Sequence, residues 1–236
     1  MMGGAFYDRF YVPASGGGGG GAATTSGTYA ARPAAGNAGA AYFSTDGPYY
    51  SVDDGAAWMD FLPGFGQVLV PPSAGWSWVN QAGSTRTDAG GSISITGGSG
   101  NLSLLMRSVG PTPWTLDAII ERGPYGAGNE QVYLAMQNAG GNLIVWGDIV
   151  NDVRIHRWNS PTSFNSSGTN VGKATTQMAY RIANDGTTIT FYDLIAPGSV
   201  VSLATETVAA FIGTVTEIGF GTRSTVRTRL LHWNVT

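Results

Sequence analysis

Residues 178–194 have the sequence MAYRIANDGTTITFYDL, and this stretch decides the fold class. Its centre, Asn184-Asp185-Gly186, is a strong signal for a tight turn, because Asn, Asp and Gly tolerate the positive backbone φ angles of hairpin turns. The segments on its two sides, 178–183 and 188–194, contain the aromatic and β-branched residues that favour strands. The sequence therefore predicts a β-hairpin here.

The same pattern of short strands and turns extends over most of the chain. Between about Leu62 and Thr236 we identify about a dozen strand segments, separated by clusters of Gly, Pro, Asn, Asp or Ser. In residues 114–120, Trp114, Leu116, Ala118 and Ile120 take one side of a strand and Thr115 and Asp117 take the other, a period of two that places one face of the strand in a core. The pattern predicts an all-β protein, with an antiparallel sandwich or jelly roll as its main domain.

The composition agrees with this class and excludes several functions. The chain has 236 residues, of which only 11% are charged and 36 are Gly, a balance that favours turns and strands over helices. The absence of Cys excludes disulfides and thiolate metal sites. A net charge of -3 without a basic run argues against nucleic acid as a partner. We find neither a window apolar enough for a membrane span nor a signal peptide in residues 1–13.

Three segments precede the predicted main domain at residues 62–236. Residues 1–13 form a predicted attachment arm, although a frayed terminus is an alternative, and residues 14–28 form a Gly-rich tether. Residues 29–61 form a predicted β-hairpin module for docking or oligomerisation. The aromatic residues predicted to dock are Phe6, Tyr7, Phe10 and Tyr11 in the arm and Tyr42, Phe43, Tyr49, Tyr50 and Trp58 in the module.

The hairpin module is predicted to contain three short strands, at residues 40–44, 49–52 and 56–61, joined by turns at 46–48 and 53–55. An isolated hairpin of this size is only marginally stable in water. We therefore expect its aromatic side chains to be covered by further copies of the chain or by another protein.

A second hairpin, within residues 142–158, carries the predicted ligand-binding site. If even-numbered residues share one surface of this hairpin, the opposite surface is apolar. Two indole rings beside charged and polar groups suit sugar recognition, and they equally suit a protein interface; simple packing under a loop is the third alternative. The five predicted binding residues are Trp146, Asp148, Arg154, His156 and Trp158.

The sequence does not carry a catalytic signature, and we expect a protein that is not an enzyme. A retaining glycosidase needs two carboxyl groups about 5 Å apart, and Asp117 and Glu121 on one mostly apolar strand come nearest to that arrangement. Only two His are present, and neither lies near a nucleophile motif. No cofactor is expected; a calcium site at Asp148, Asn151 and Asp152 is a candidate, and an ordinary turn explains these residues equally well.

Two parts of the chain resemble known families. Residues 32–61, RPAAGNAGAAYFSTDGPYYSVDDGAAWMDF, resemble the small Gly/Tyr/Trp hairpin module of fibre, tail and other virion-surface proteins of tailed bacteriophages. The main domain resembles the concanavalin A-like lectin/glucanase superfamily, which includes laminin-G-like modules. The stretches that carry this second resemblance are WTLDAIIE, EQVYLAMQNAGGNLIVWGD, MAYRIANDGTTITFYDL and EIGFGTRSTVRTRLLHWNV.

Together the resemblances imply a structural protein of a tailed phage particle, located on the virion surface and made in the host cytoplasm without a signal peptide. They imply contacts with other virion proteins, a homo-oligomer with a trimer favoured, and binding of a host-surface glycan by the jelly roll. The alternative is a decoration, head-fibre or connector protein without a glycan ligand. Fold alone does not decide between these functions.

Overall fold

The structure is a computed structural model that describes residues 24–62, 65–123, 131–149, 152–173, 177–196 and 199–236. The predicted arm, with Phe6, Tyr7, Phe10 and Tyr11, lies outside the described residues. Within them the chain forms three β-sheets and two short 3-10 helices, Tyr29–Ala31 and Val208–Ala210. None of the helices in these ranges is long and apolar enough to cross a membrane.

A small N-terminal sheet comes first in the chain. Its strands are β1 (Thr24–Gly27), β2 (Ala41–Ser44), β3 (Tyr50–Asp53), β4 (Trp58–Leu62) and β5 (Gly66–Val68), in that spatial order. β1 pairs with β2 in parallel, and the other neighbours are antiparallel. The three predicted strands of the hairpin module correspond to β2, β3 and β4. Residues 24–27, part of the predicted tether, instead form an edge strand, and β5 extends the module beyond residue 61.

Two seven-stranded antiparallel sheets form the sandwich. The first sandwich sheet contains β7 (Thr85–Ala89), β8 (Ser92–Thr96), β10 (Trp114–Arg122), β15 (Gln177–Asn184), β16 (Thr188–Ala196), β17 (Ser199–Thr207) and β19 (Arg227–Val235), in the order β17-β16-β15-β10-β19-β8-β7. The second contains β6 (Ser77–Val79), β9 (Ser99–Ser108), β11 (Gln131–Asn138), β12 (Leu143–Ile149), β13 (Asp152–Ser160), β14 (Ser163–Lys173) and β18 (Val215–Ser224), in the order β14-β13-β12-β11-β18-β9-β6. The predicted all-β sandwich is confirmed.

The hairpin at residues 178–194 is also confirmed. β15 and β16 pair in antiparallel register up to Asn184 and Ile189. At the turn, the Asp185 carboxylate accepts hydrogen bonds from the backbone N–H groups of Thr187 and Thr188, at 2.8 and 2.7 Å. Gly186 has φ +93°, a conformation that glycine adopts without steric cost. The turn is therefore formed by the two properties on which the prediction rests, a side chain that accepts backbone hydrogen bonds and a glycine that adopts positive φ.

The main core lies between the inner faces of the two sandwich sheets. Trp114, Leu116, Ala118 and Ile120 point into it from β10, as their alternation predicts, and Thr115 and Asp117 point away. Facing them, Val132 and Leu134 of β11 are fully buried. Because apolar burial contributes roughly 25 cal/mol per Å², this interface is the dominant stabilising contact of the domain.

The second sandwich sheet also buries its other face, because it coils strongly enough for distant strands to touch. β9 and β13 are separated by three strands, yet the backbone N–H of Leu102 donates to the carbonyl oxygen of Pro161, just after β13, at 3.1 Å. The side chains inside the coil form a second, concave core. Its members are Leu102, Leu104, Met106, Tyr133, Ala135, Leu143, Val145 and Trp158.

The N-terminal sheet packs on the outer face of the first sandwich sheet. Tyr49, Leu62 and Val68 form one buried cluster with Ile119 of β10 and Leu231 of β19. The Tyr49 hydroxyl also donates a 2.6 Å hydrogen bond to the carbonyl oxygen of Leu231. The module is therefore held to its own sandwich by apolar burial and by a hydrogen bond across the interface.

This packing corrects part of the docking prediction. Tyr42 and Tyr49 are only 3% and 2% exposed, so these rings are used within the chain. Trp58 is half-buried: its indole N–H donates to the carbonyl oxygen of Pro33 at 2.8 Å, and the Arg32 guanidinium lies 5.4 Å from its ring. These three side chains point toward the sandwich side of the sheet, because alternate residues of a strand face opposite ways.

The opposite face of the N-terminal sheet carries the remaining aromatic side chains. Phe43, Tyr50 and Phe61 are directly paired across β2, β3 and β4, and we call them the outer aromatic row. Their ring centroids are 6.2 Å apart between Phe43 and Tyr50 and 5.1 Å apart between Tyr50 and Phe61. Phe43 and Tyr50 belong to the predicted docking residues and Phe61 does not; Phe43 is 39% exposed, so solvent reaches this face of the sheet.

A close backbone contact between the module and the sandwich gives the first prediction. A Cβ atom at Gly47 would overlap the carbonyl oxygen of Gly90, in the turn between β7 and β8. We expect Gly47→Ala to lower the free energy of unfolding by about 1–3 kcal/mol, because backbone must move to admit the methyl group. Urea denaturation measures the change.

Gly110→Ala is the matched control, because a Cβ at Gly110 meets nothing within 4 Å. We expect its stability to stay within about 0.5 kcal/mol of the wild-type value or to rise slightly. Equal effects of the two substitutions would contradict the contact.

Candidate functional site

The predicted five-residue surface depends on how β12 and β13 are paired. In the structure Leu143 is opposite Trp158 and Ile149 is opposite Asp152, so two residues separate the paired ends. With that spacing an even-numbered residue of β12 lies opposite an odd-numbered residue of β13. Directly opposed residues share a face, so the even-numbered residues of the two strands point to opposite faces of the sheet.

Trp146 is therefore not part of a surface with Trp158, and that prediction is wrong. Trp146 lies opposite Ile155, is fully buried in the main core, and has its ring centroid 4.0 Å from that of Tyr180 and 5.1 Å from that of Phe191. Its indole is a packing element of the sandwich.

Asp148 does not lie on the predicted surface either. Its fully buried carboxylate points into the main core and pairs with the guanidinium of Arg122 on the facing sheet. A buried carboxylate without such a partner would be very unfavourable, so the two charges depend on each other. Asp148 thus links the two sheets at one end of the sandwich.

Within the described residues, the side chains of the predicted calcium site do not come together around a common point. Asp148 is paired with Arg122, and the Asp152 carboxylate accepts a 2.9 Å bond from Arg154. Asn151 lies outside the described residues. In the part of the chain that the structure covers, three His, Asp or Glu side chains do not come together as a metal site would require.

The other three predicted residues do share a surface. Arg154, His156 and Trp158 point to the concave side of the second sandwich sheet, and their partners on the edge strand β14 point the same way. The structure pairs Trp158 with Phe164, His156 with Ser167 and Arg154 with Asn170. We call these six residues the β13–β14 face.

Phe164 is the exposed aromatic ring of this face. It is 48% exposed, whereas Trp158 is 3% and His156 is 6% exposed. The Phe164 ring meets both of them edge to face, with centroids 5.2 Å from Trp158 and 5.3 Å from His156. The Arg223 guanidinium lies 5.4 Å from the Trp158 ring centroid. The two buried rings therefore support Phe164 from beneath and leave it open to solvent.

His156 supplies a neutral polar group under the ring. Burial, followed by the nearby charges of Arg154 and Arg223, lowers its pKa to about 4, so the imidazole is uncharged at neutral pH. Its Nε2 atom lies 3.3 Å from the Ser167 hydroxyl. Its Nδ1 atom is buried without a hydrogen-bond partner, and so is the indole nitrogen of Trp158.

The sequence pattern did not predict the three residues that β14 adds to this face, Phe164, Ser167 and Asn170. β14 was not predicted as a strand, because Ser163–Lys173 is rich in Ser, Asn and Gly and lacks apolar alternation. The signal that was available is a lone aromatic residue within a run of small polar residues. Such a residue has little local packing to bury it.

The acidic residues considered for catalysis are engaged in ion pairs. Arg181 holds the Asp117 carboxylate in a two-pronged contact at 2.6 and 2.8 Å, and Arg229 donates to Glu121 at 2.7 Å. The second histidine, His232, is buried where the N-terminal module meets the sandwich. Its Nδ1 atom accepts a 2.8 Å bond from the Leu69 N–H.

Comparison with known proteins finds similarity at the level of fold. No protein-family model and no curated protein matches the sequence. A Saccharomyces cerevisiae protein of unknown function superimposes with a TM-score of 0.54 at 10% identity, over 69% of this chain and 96% of that one. The two antiparallel sheets form a jelly-roll sandwich.

Two further structures similar to this jelly roll are carbohydrate-binding proteins by name. The carbohydrate-binding module CBM66 from Bacillus subtilis has a TM-score of 0.48 at 15% identity, over 69% of this chain and 95% of that one. The seed lectin of Lotus tetragonolobus has a TM-score of 0.46 at 10% identity, over 70% and 94%. At these identities the similarity concerns the fold and not the ligand.

The protonation of His156 gives the second prediction. The folded jelly roll takes up this proton only near pH 4, whereas the unfolded chain takes it up near the ordinary value of about 6.5. Between these values the unfolded state binds more protons, so the free energy of unfolding falls as the pH is lowered through this window. We expect His156→Gln to reduce that fall by roughly 2–3 kcal/mol.

Urea denaturation of both proteins at a series of pH values measures this difference. All other titrating groups are common to the two proteins, so their contributions cancel in the comparison. Parallel pH profiles for wild type and His156→Gln would show that the imidazole is not held in its neutral form.

Proposed function

We propose that the protein binds a glycan without catalysis and that the β13–β14 face is the binding site. The observation that carries this proposal is the exposed Phe164 ring, supported by two buried rings and flanked by exposed hydroxyl and amide groups. A pyranose offers an apolar C–H face and a rim of hydroxyls. An aromatic ring beside neutral hydrogen-bonding groups complements both.

The support beneath Phe164 favours binding in a second way. Association always costs the conformational freedom of the side chains that it orders. Trp158 and His156 already restrict the Phe164 ring, so less freedom is lost when a sugar stacks on it. Ser167 and Asn170 are on the same strand and would contact the hydroxyls of that sugar.

We further propose that this activity belongs to a structural protein on the surface of a tailed phage particle, with other virion proteins as partners. The resemblance of residues 32–61 to a phage hairpin module supports this setting. The engagement of Asp117 and Glu121 with arginines supports a role that is not enzymatic, because neither carboxylate is placed for glycoside hydrolysis.

Removal of the Phe164 ring gives the third prediction. We expect Phe164→Ala to lower glycan affinity about five- to thirtyfold, because the loss of a stacked ring costs on the order of 1–2 kcal/mol. A glycan array followed by calorimetry on the best ligand measures the change. Val201→Ala is the matched control, since Val201 is also 48% exposed but lies on β17 of the other sheet.

Equal binding by wild type and Phe164→Ala would place any glycan site elsewhere. An array on which the wild-type protein binds no glycan would remove glycan binding as its function.

A purely structural role is the second candidate function, and the outer aromatic row favours it. Phe43, Tyr50 and Phe61 form a continuous stacked surface on the face of the N-terminal sheet opposite the sandwich. Covering this row would remove from water the part of each ring that is still exposed, 39% of Phe43, and burial of apolar area favours association at about 25 cal/mol per Å². Copies of the chain that cover this row on one another would form the oligomer, with three copies favoured by the phage resemblance.

Polar substitution of this row gives the fourth prediction. We expect wild-type protein to show a concentration-dependent mass above that of the monomer, and Phe43→Ser/Phe61→Ser to shift the mass to the monomer. Analytical ultracentrifugation measures both. Val235→Ser is the control, because Val235 is 39% exposed, as Phe43 is, and lies on β19. A wild-type protein that stays monomeric at every concentration would refute assembly through this surface.

A further inference from the structure

A cavity lies where the N-terminal module meets the jelly roll, away from the β13–β14 face. Its volume is about 330 Å³. The outer face of the first sandwich sheet forms its floor, and residues 65–69, which include β5 of the N-terminal sheet, form one wall. We call it the interface pocket. The lining residues used below are Phe65, Gln67, Asp117, Leu194, His232 and Asn234.

The hydrogen bonds around His232 determine what it offers to the pocket. Its Nδ1 atom accepts from the Leu69 N–H at 2.8 Å, so in the neutral ring the proton resides on Nε2. Burial is the main influence on this imidazole and lowers its pKa, which favours the neutral ring. His232 therefore presents a neutral N–H donor, and its orientation is fixed by a backbone contact.

Asp117 and Asn234 supply the complementary groups. They are directly opposite each other on β10 and β19, so their side chains lie together on the pocket floor. Arg181 neutralises the Asp117 carboxylate through two bonds, at 2.6 and 2.8 Å, and each oxygen retains capacity to accept a further bond. Asn234 and Gln67 each add an amide, which both donates and accepts.

The rest of the lining is apolar. Phe65, just before β5, and Leu194 of β16 also line the pocket. The arrangement is a small number of polar groups between apolar walls, which is typical of small-molecule sites. The volume equals that of roughly ten water molecules at about 30 Å³ each, which suits a ligand of about a dozen heavy atoms.

From this lining we infer that the interface pocket binds a small, uncharged, hydroxyl-bearing molecule of monosaccharide size. Donors and acceptors both line the floor, which matches hydroxyl groups because each hydroxyl donates and accepts. The Asp117 charge is compensated by Arg181, so a charged ligand would enter the pocket without a free counter-charge among the lining residues named above. This inference is independent of the glycan site proposed at Phe164.

The location of the pocket gives ligand binding a structural consequence. Its walls come from both the N-terminal connection and the jelly roll, so a bound ligand is released when the two separate. A ligand that binds only the docked state stabilises that state in proportion to its free concentration relative to its dissociation constant. The ligand would therefore fasten the module to the jelly roll.

The experiment uses the full chain and a panel of neutral monosaccharides: glucose, galactose, mannose, fucose, N-acetylglucosamine and N-acetylgalactosamine. Saturation-transfer NMR detects binding, and thermal unfolding measures stabilisation. We expect at least one sugar to bind and to raise the unfolding temperature. We expect Gln67→Ala/Asn234→Ala to weaken the binding of that sugar at least tenfold, and Val201→Ala, at an exposed position of β17, to leave its affinity unchanged. Gln67 is exposed and Asn234 is half-buried, and the unfolding temperatures of the variants without sugar verify that they fold.

Three outcomes would overturn the inference. The first is that none of the six sugars binds. The second is that binding survives in Gln67→Ala/Asn234→Ala and is lost in Phe164→Ala, which would assign the sugar to the β13–β14 face. The third is that glucuronate or glucose 6-phosphate binds the pocket more tightly than the neutral sugars. If Phe164→Ala no longer binds glycans on the array but still binds the monosaccharide, the two ligands occupy different sites, and this result supports the inference.

Discussion

The need of the second sandwich sheet to bury both of its faces is the constraint on which the rest of the structure depends. One face packs on the first sheet, and the other closes on itself into the concave core. Strand β11 shows the result, since every residue from Gln131 to Gln137 is buried. A strand buried on both faces cannot carry a ligand site. Because the sheet coils, the candidate site is confined to the edge of the second sandwich sheet, where β13 and β14 contact solvent and Phe164 is exposed.

The sequence predicted features that depend on local chemistry. The Asn184-Asp185-Gly186 turn and the alternation in residues 114–120 are of this kind, and both are confirmed. It failed for the surface that combined Trp146 with Trp158, because the number of residues in the loop between two strands decides which of their residues lie opposite each other and share a face. A change of one residue in that number exchanges the faces. β14 was missed for a different reason: its strand state comes from pairing with β13 and not from its own polar sequence.

The aromatic residues of the N-terminal module show a further limit of sequence reasoning. Their number led to the prediction that further copies of the chain or another protein cover them, and for Tyr42 and Tyr49 that prediction is wrong, because both are buried within the chain. The number of aromatic residues could not indicate which partner covers them, because Tyr49 and Phe43 are equally aromatic in the sequence but point to opposite sides of the module. The structure assigns Tyr49 to the jelly roll through Ile119 and Leu231, and it leaves Phe43 exposed. A sequence rich in aromatic residues looks the same whether its rings are buried within one chain or between two chains. Only the pairing of the strands, which decides the side to which each ring points, distinguishes the two cases.

The two candidate functions are physically compatible, and each adds to the other. A shallow face with one exposed ring makes few contacts with a sugar, so a single copy of the site has limited affinity. Assembly through the outer aromatic row would place several such faces on one particle. Once one face has bound, the others meet the same surface at a high effective concentration, and the combined affinity rises by orders of magnitude without any new contact. The outer aromatic row and Phe164 lie on different sheets, so covering one leaves the other open. An assembly that buries Phe43 can therefore still present Phe164 to a glycan. Several Phe164 faces, each with a low affinity, would together bind a glycan-covered surface tightly.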